Sequence, residues 1–135
     1  MFSPKLADLI LAKLARHKDL NLVVSDSISI ASAATTAACS IPAGAYVKQV
    51  SVYNPGASAF SSADIDVGDG DSTDRYVDGM TGLGAYDIAT APVPGNGVAS
   101  DEVAGHYYAS ADTIDVKVNG TADGSVKVMA WYFMV

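Results

Sequence analysis

The C-terminal part of the chain has the pattern of two strands joined by a turn. Residues 112–118 follow the two-residue period of a strand with one buried face, and the turn residues 119–124 come next. The returning strand, residues 126–135, is apolar or aromatic on both faces from Val128 onward. A sandwich buries only one face of each sheet, so we expect the other face of this strand to be covered by the chain's own N-terminal helix or by another subunit.

The N-terminus carries the pattern of an amphipathic helix from about Pro4 to His17. Ser3 suits the N-cap position and Pro4 the first helical position. Apolar residues then recur at helical spacing and form one stripe. The stripe consists of Leu6, Leu9, Ile10 and Leu14.

Short strand patterns follow, separated by Gly- and Pro-rich turns. The strand predicted over 46–54 changes its apolar phase between Val47 and Val50, as a β-bulge would make it do. Residues 31–40 are compatible with strand or loop, and 41–44 form a turn. We predict an all-β, antiparallel sandwich or barrel, with residues 1–18 as an N-terminal helix or arm and 19–135 as a single β-sandwich domain. The remaining predicted strands lie at about 20–24, 28–30, 63–67, 75–77, 86–89 and 103–110.

Composition narrows the functional classes. The 135 residues suit one domain, and a net charge of -7, with eight basic and fifteen acidic residues, disfavours nucleic acid and anionic membrane surfaces. No apolar run is long enough for a membrane span, and the N-terminus lacks a clear signal-peptide pattern. Cys39 is the single cysteine, so we expect no internal disulfide and synthesis in a cytoplasm.

An acidic loop is the sharpest local feature. Calcium prefers several carboxylate oxygens on a flexible, Gly-containing loop. The spacing fails as an EF-hand, because Asp69 replaces the required Gly and Arg75 replaces the closing Glu. We favour a tight Asp-Gly turn with solvated carboxylates, one of them paired with Arg75, and we expect no cofactor, with calcium as the lesser alternative. The weak calcium candidates are Asp64, Asp66, Asp69, Asp71 and Asp74.

Catalytic patterns are weak. His17 and His106 are the two histidines, and neither lies in a motif that would orient it as a base. Cys39, in a run of small residues, suits a small apolar filler. Tyrosines and Trp131 could form a sugar-stacking face, but the two-faced terminal strand favours a protein interface. We predict that the chain is not an enzyme.

Three segments carry a resemblance to a known group. They are Ile-Pro-Ala-Gly-Ala at 41–45, Val-Gly-Asp-Gly-Asp at 67–71 leading to Asp-Arg-Tyr at 74–76, and Ala-Asp-Thr-Ile at 111–114 followed by Gly-Thr-Ala at 120–122. Over about 41–135 the chain resembles capsid cement or decoration proteins of tailed bacteriophages with a jelly-roll sandwich. The resemblance implies a non-enzymatic dimer or trimer on the outside of an icosahedral shell.

These observations lead to one hypothesis and two alternatives. The chain is predicted to be a virion protein, made in the host bacterial cytoplasm, that clamps adjacent major capsid protein subunits as a homo-oligomer. An obligate interface of that kind buries about 2,000 Å² or more. The alternatives are a calcium-dependent carbohydrate- or ligand-binding module and a head or tail fibre component. The predicted interface consists of Trp131, Phe133 and Val135, with the helix stripe Leu6, Leu9, Ile10 and Leu14 as cover or partner.

Overall fold

The strands of the chain form two antiparallel sheets. The computed structural model describes residues 5–10, 20–59, 63–91, 105–121 and 123–135, and residues 5–10 are helical. Within these ranges the strands are β1 (Asn21–Val24), β2 (Ile28–Ser29), β3 (Thr35–Ile41), β4 (Ala45–Tyr53), β5 (Ala63–Gly68), β6 (Val77–Met80), β7 (Ile88–Ala91), β8 (His106–Tyr108), β9 (Asp112–Gly120) and β10 (Ser125–Met134). The all-β, antiparallel prediction is therefore confirmed.

The first sheet has the strand order β1-β10-β4-β7, with β2 also paired to β10 and β8 to β4. The second sheet has the order β3-β9-β5-β6. The inward residues of both sheets form one apolar core, because each strand places alternate side chains on the same face. Its largest fully buried side chains include Ile30, Ile41, Ile65, Met80 and Ile114.

The predicted β-bulge is present in β4. Trp131 of β10 pairs with Gln49, whereas the next residue, Tyr132, pairs with Val47, so Lys48 is the extra residue. The insertion lets Val47 and Val50 both point into the core although they are three positions apart. The change in the alternation of apolar residues between Val47 and Val50 is therefore explained by the bulge.

The two apolar faces of β10 contact different parts of the chain. Val126, Val128 and Ala130 point into the core between the sheets. On the opposite face, Phe133 stacks on Tyr46, with 5.2 Å between ring centroids, and both pack against Ile10 of the helical segment. The chain's own N-terminal segment therefore covers this end of the strand. The remainder of the predicted helix, including Leu14, lies outside the described residues.

Three predicted strand starts are wrong. The strand predicted over 103–110 begins at His106, because Gly105 before it has a φ of 112° and is not in a strand. β6 begins at Val77 rather than Arg75, because Arg75 and Tyr76 belong to the preceding turn. β7 begins at Ile88 rather than at Tyr86, whose φ of 57° is the left-handed conformation and not that of a strand. Residues 31–40, for which the sequence was compatible with strand or loop, contain most of β3. No helix in the described ranges is long and apolar enough to cross a membrane.

Candidate assembly surface and the anchored acidic loop

The outer face of the first sheet carries apolar side chains at both of its edges and on β10, with polar side chains of β4 between them. Val23 packs against the core, so its neighbours Leu22 and Val24 point away from it. The register places Leu22 beside Trp131 and Val24 beside Met129. Ile88 lies on the same face at the other edge, because it alternates with the buried Ala89. We call these five residues, Leu22, Val24, Ile88, Met129 and Trp131, the apolar face.

The edges of the apolar face are open to solvent. Leu22 is 53% exposed, Val24 51% and Ile88 53%, although single chains normally leave few large apolar side chains so accessible in one patch. Between these edges, Ser51 and Thr90 hydrogen-bond to each other through their hydroxyls at 2.8 Å. The hydroxyl pair satisfies itself, so the face can lose water without leaving these groups unpaired.

The two sheets differ in charge. The strands of the first sheet contain no Asp or Glu, and their charged residues are Lys48 and Lys127. The strands of the second sheet carry five aspartates and one lysine, Lys117. The strands of the first sheet therefore form the less acidic of the two outer faces, with the exposed Asp26 and Asp87 at its edges. The five aspartates are Asp64, Asp66, Asp78, Asp112 and Asp115.

The predicted interface residues fall into two groups. Trp131 belongs to the apolar face and is half-buried. Phe133 and Ile10 are buried against each other, with Leu6 and Val135 packed at the edge of that cluster. Contact between subunits through Phe133 would require the helical segment to move, whereas Trp131 already faces outward. Leu9, which was also predicted to lie at the interface, is 46% exposed.

The acidic loop is organised by a buried carboxylate. The Asp69 side chain, 1% exposed, accepts a hydrogen bond from Arg75 Nε at 2.5 Å and from the Tyr108 hydroxyl at 2.7 Å. It also accepts from the backbone amides of Asp71 at 3.0 Å and Ser72 at 2.9 Å. The predicted pairing of Arg75 with a loop carboxylate is confirmed. Asp69 therefore closes the turn and ties it to β8.

Electrostatics explain why this buried carboxylate stays charged. Burial raises the pKa of Asp69, but hydrogen bonds from Arg75, Tyr108 and the Ser72 amide, with the guanidinium charge, bring it below its ordinary value. Burial, together with the neighbouring Tyr76 and Asp69, raises the pKa of Tyr108 well above the usual range. The phenol stays protonated and acts as the donor to Asp69.

Two tyrosines in this network carry no signal in the sequence. Tyr76 and Tyr108 are buried, and their hydroxyl oxygens lie 2.6 Å apart. They are 32 positions apart in the chain, so no local pattern links them. Their burial, and that of Tyr46, removes three aromatic rings from the sugar-stacking face considered above.

The remaining calcium candidates are dispersed. Asp66 accepts hydrogen bonds from the Gly79 amide at 2.8 Å and from Asn119 Nδ2 at 3.0 Å. Asp74 accepts one from the Ser72 hydroxyl at 3.1 Å, and Asp71 is exposed. One oxygen of Asp64, Oδ1, is buried without a hydrogen-bond partner. In the part of the chain that the structure describes, no three His, Cys, Asp or Glu side chains are grouped to hold a metal. The absence of a cofactor stays a prediction, and calcium its untested alternative.

The other candidate reactive groups lie in structural positions. His106 Nδ1 is 3.3 Å from the Arg75 guanidinium, and the His106 ring meets Tyr108 edge-on with centroids 4.7 Å apart. Cys39 is buried in the core, and its thiol contacts the Val128 carbonyl oxygen at 3.5 Å. Burial raises the pKa of this thiol to about 11, which keeps it protonated and unreactive at neutral pH. His17 lies outside the described residues.

Comparison with known proteins shows where this fold recurs. No protein-family model and no curated protein matches the chain. A chain in the acid-stable capsid structure of Helicobacter pylori bacteriophage KHP30 matches with a TM-score of 0.63 and 18% identity, over 85% of this chain and 87% of that one. A chain in the cyanophage Pam1 capsid matches with a TM-score of 0.59 and 21% identity, over 87% and 88%. At these identities the similarity establishes a shared fold.

Proposed function

We propose that this chain is a structural protein of a phage virion that binds the exterior of the capsid. The observation that carries the proposal is the fold itself, which recurs along most of the chain in two phage capsid structures. The apolar face adds to it, because a surface of this kind is typical of protein association rather than of catalysis.

We also propose that the sandwich is a jelly roll. Successive strands cross between the two sheets at β2 to β3, β3 to β4, β4 to β5, β6 to β7, β8 to β9 and β9 to β10. If β1 and β2 count as one strand and β7 and β8 as another, eight strands remain, with four in each sheet, as in a jelly roll. In this proposal residues 19–135 form the sandwich domain and residues 1–18 an arm that packs on it.

The proposed mechanism is mechanical. As a homo-oligomer, the protein would span neighbouring major capsid protein subunits and hold them together by burying apolar surface, with no bond made or broken. Trp131 is the first residue we assign to association, because large aromatic side chains dominate interface energetics. Such a clamp raises the work needed to separate coat subunits and so stabilises the shell against internal pressure.

Virions of the parent phage provide the test. We expect quantitative mass spectrometry of purified virions to find this chain in a fixed ratio to the major capsid protein. Particles from a phage with the gene deleted should release DNA at a lower temperature than wild-type particles, and added purified protein should restore the difference. Complete absence of the chain from wild-type virions would contradict the proposal.

A further inference from the structure

We propose that the apolar face binds a second copy of this chain, face to face about a two-fold axis. This inference rests on the proposed function only for the expectation of a homo-oligomer; it adds which face is used, its partner and the symmetry. The face lies on the free chain before any shell is met, so its self-association does not depend on the capsid.

Charge favours this face over the rest of the surface. Each chain carries a net charge of -7, so two copies repel each other at most relative orientations. The strands of the first sheet carry no carboxylate, and the exposed Asp26 and Asp87 lie at its two edges, whereas the strands of the opposite sheet carry five. Pairing through the first sheets places the two acidic faces at the outside of the dimer, where they are farthest apart and solvated.

The chemistry of the face matches a second copy better than a strongly polar partner. Leu22, Val24 and Ile88 are exposed at the two edges, and of the polar side chains on the face Ser51 and Thr90 are already hydrogen-bonded to each other. Gln49 and Tyr53 also lie on this face. A self-complementary apolar surface is what a two-fold interface requires. Lys127 also lies in this sheet, and its long side chain can extend to solvent while its methylene groups pack.

The size of the face sets the strength of the dimer. Its outward residues are three on each of β10 and β4 and two on each of β1 and β7. With positions about 6.8 Å apart along strands about 4.8 Å apart, these ten positions give a footprint of about 330 Å² per copy. Two copies bury about 650 Å², well below the roughly 1,200 Å² of stable specific complexes. The geometry therefore points to a dissociable dimer rather than the obligate oligomer expected from the sequence. Binding side by side on a shell would raise its effective concentration and favour pairing.

The chain contains its own reporter for this interface. Trp131 is the only tryptophan and lies on the apolar face, so its fluorescence should shift to shorter wavelength as dimers form. Sedimentation velocity and Trp131 emission would be measured from about 2 to about 500 µM protein, because mass action favours dimers at high concentration. We expect both signals to follow one monomer–dimer curve.

Variants on the two faces provide the matched comparison. Val24→Asp places a carboxylate on the apolar face, and Thr35→Asp places one at an exposed position of β3 in the opposite sheet. We expect Val24→Asp to raise the dimer dissociation constant at least tenfold and Thr35→Asp to change it less than threefold. Ile88→Lys tests the other edge with the opposite charge and should also weaken the dimer. Circular dichroism checks that each variant is folded.

The outcomes separate this inference from the proposed function. The inference is overturned if the wild-type protein is monomeric at the highest concentration. It is also overturned if Val24→Asp and Thr35→Asp weaken the dimer equally. Virions that still contain the chain in that case leave the proposed function intact. A dimer that depends on Val24, with the chain absent from virions, supports the inference and contradicts the proposed function.

Discussion

The ion pair between Asp69 and Arg75 offers a sharp test of what holds the acidic loop. Replacing Asp69 with Ala removes the acceptor for Arg75 Nε, for the Tyr108 hydroxyl and for two backbone amides. The side chains of Asp69 and Arg75 are 1% and 12% exposed, so the guanidinium has little access to water once its partner is gone. The variant therefore removes the carboxylate that balances a nearly buried charge and the acceptor that four donors share.

The expected loss of stability is large for a single substitution. Breaking a buried ion pair by removing one partner costs about 3–5 kcal/mol. For a chain of 135 residues this corresponds to a fall in Tm of about 10–18 °C. The assay is thermal and urea unfolding followed by circular dichroism at neutral pH.

The matched control is Asp71→Ala in the same loop. Asp71 is exposed, and the contact it makes to Asp69 comes from its backbone amide, which the substitution keeps. We expect its free energy of unfolding to change by less than about 0.5 kcal/mol. Equal stabilities of the Asp69→Ala and Asp71→Ala proteins would refute the view that the buried carboxylate holds the loop in place.

A double-mutant cycle assigns part of the effect to the tyrosine. Tyr108→Phe removes one donor from Asp69 and one partner from Tyr76, at an expected cost of about 1–3 kcal/mol. Because Tyr108 and Asp69 share a hydrogen bond, the double variant should lose less stability than the two single variants together. Strict additivity would show that the two groups act independently.

Three further expectations concern pH, backbone space and thiol reactivity. The pKa of Asp69 lies below its ordinary value of 3.8, so its stabilising effect is complete above about pH 4 and is lost as pH falls through the folded pKa; acid titrations of unfolding should be steeper for wild type than for Asp69→Asn. In urea titrations, Gly68→Ala should lower the free energy of unfolding by about 2–4 kcal/mol, because the added Cβ would lie 2.0 Å from the Ser72 carbonyl oxygen. Gly70→Ala should lower it by less than about 1 kcal/mol, because its Cβ meets only the Asp112 side chain at 3.2 Å. The Cys39 thiol, with its pKa raised to about 11, should react with a thiol reagent at pH 8 at least about 100-fold more slowly in the folded protein than in urea; equal rates would place it at the surface.

Local patterns in the sequence were sufficient to predict most strands. The alternation over 112–118 and the long apolar run after it became β9 and β10, and the phase change between Val47 and Val50 became a bulge. These features depend on neighbours a few positions apart, because the side-chain period of a strand is a property of the backbone itself. The strand starts predicted at Arg75 and Tyr86 were wrong. Arg75 is held in a turn by Asp69 six positions earlier, and Tyr86 has a left-handed φ.

The candidate surface and the loop network required the tertiary structure. Leu22 and Val24 alternate as a buried strand would, yet the position of β1 at the edge of the first sheet points them outward and turns Val23 to the core. Asp69 and Tyr108 are 39 positions apart and meet only because the turn after β5 packs against β8. Periodicity specifies that a strand has two faces, but the order of strands decides which face is buried, since burial depends on what the rest of the chain places against it.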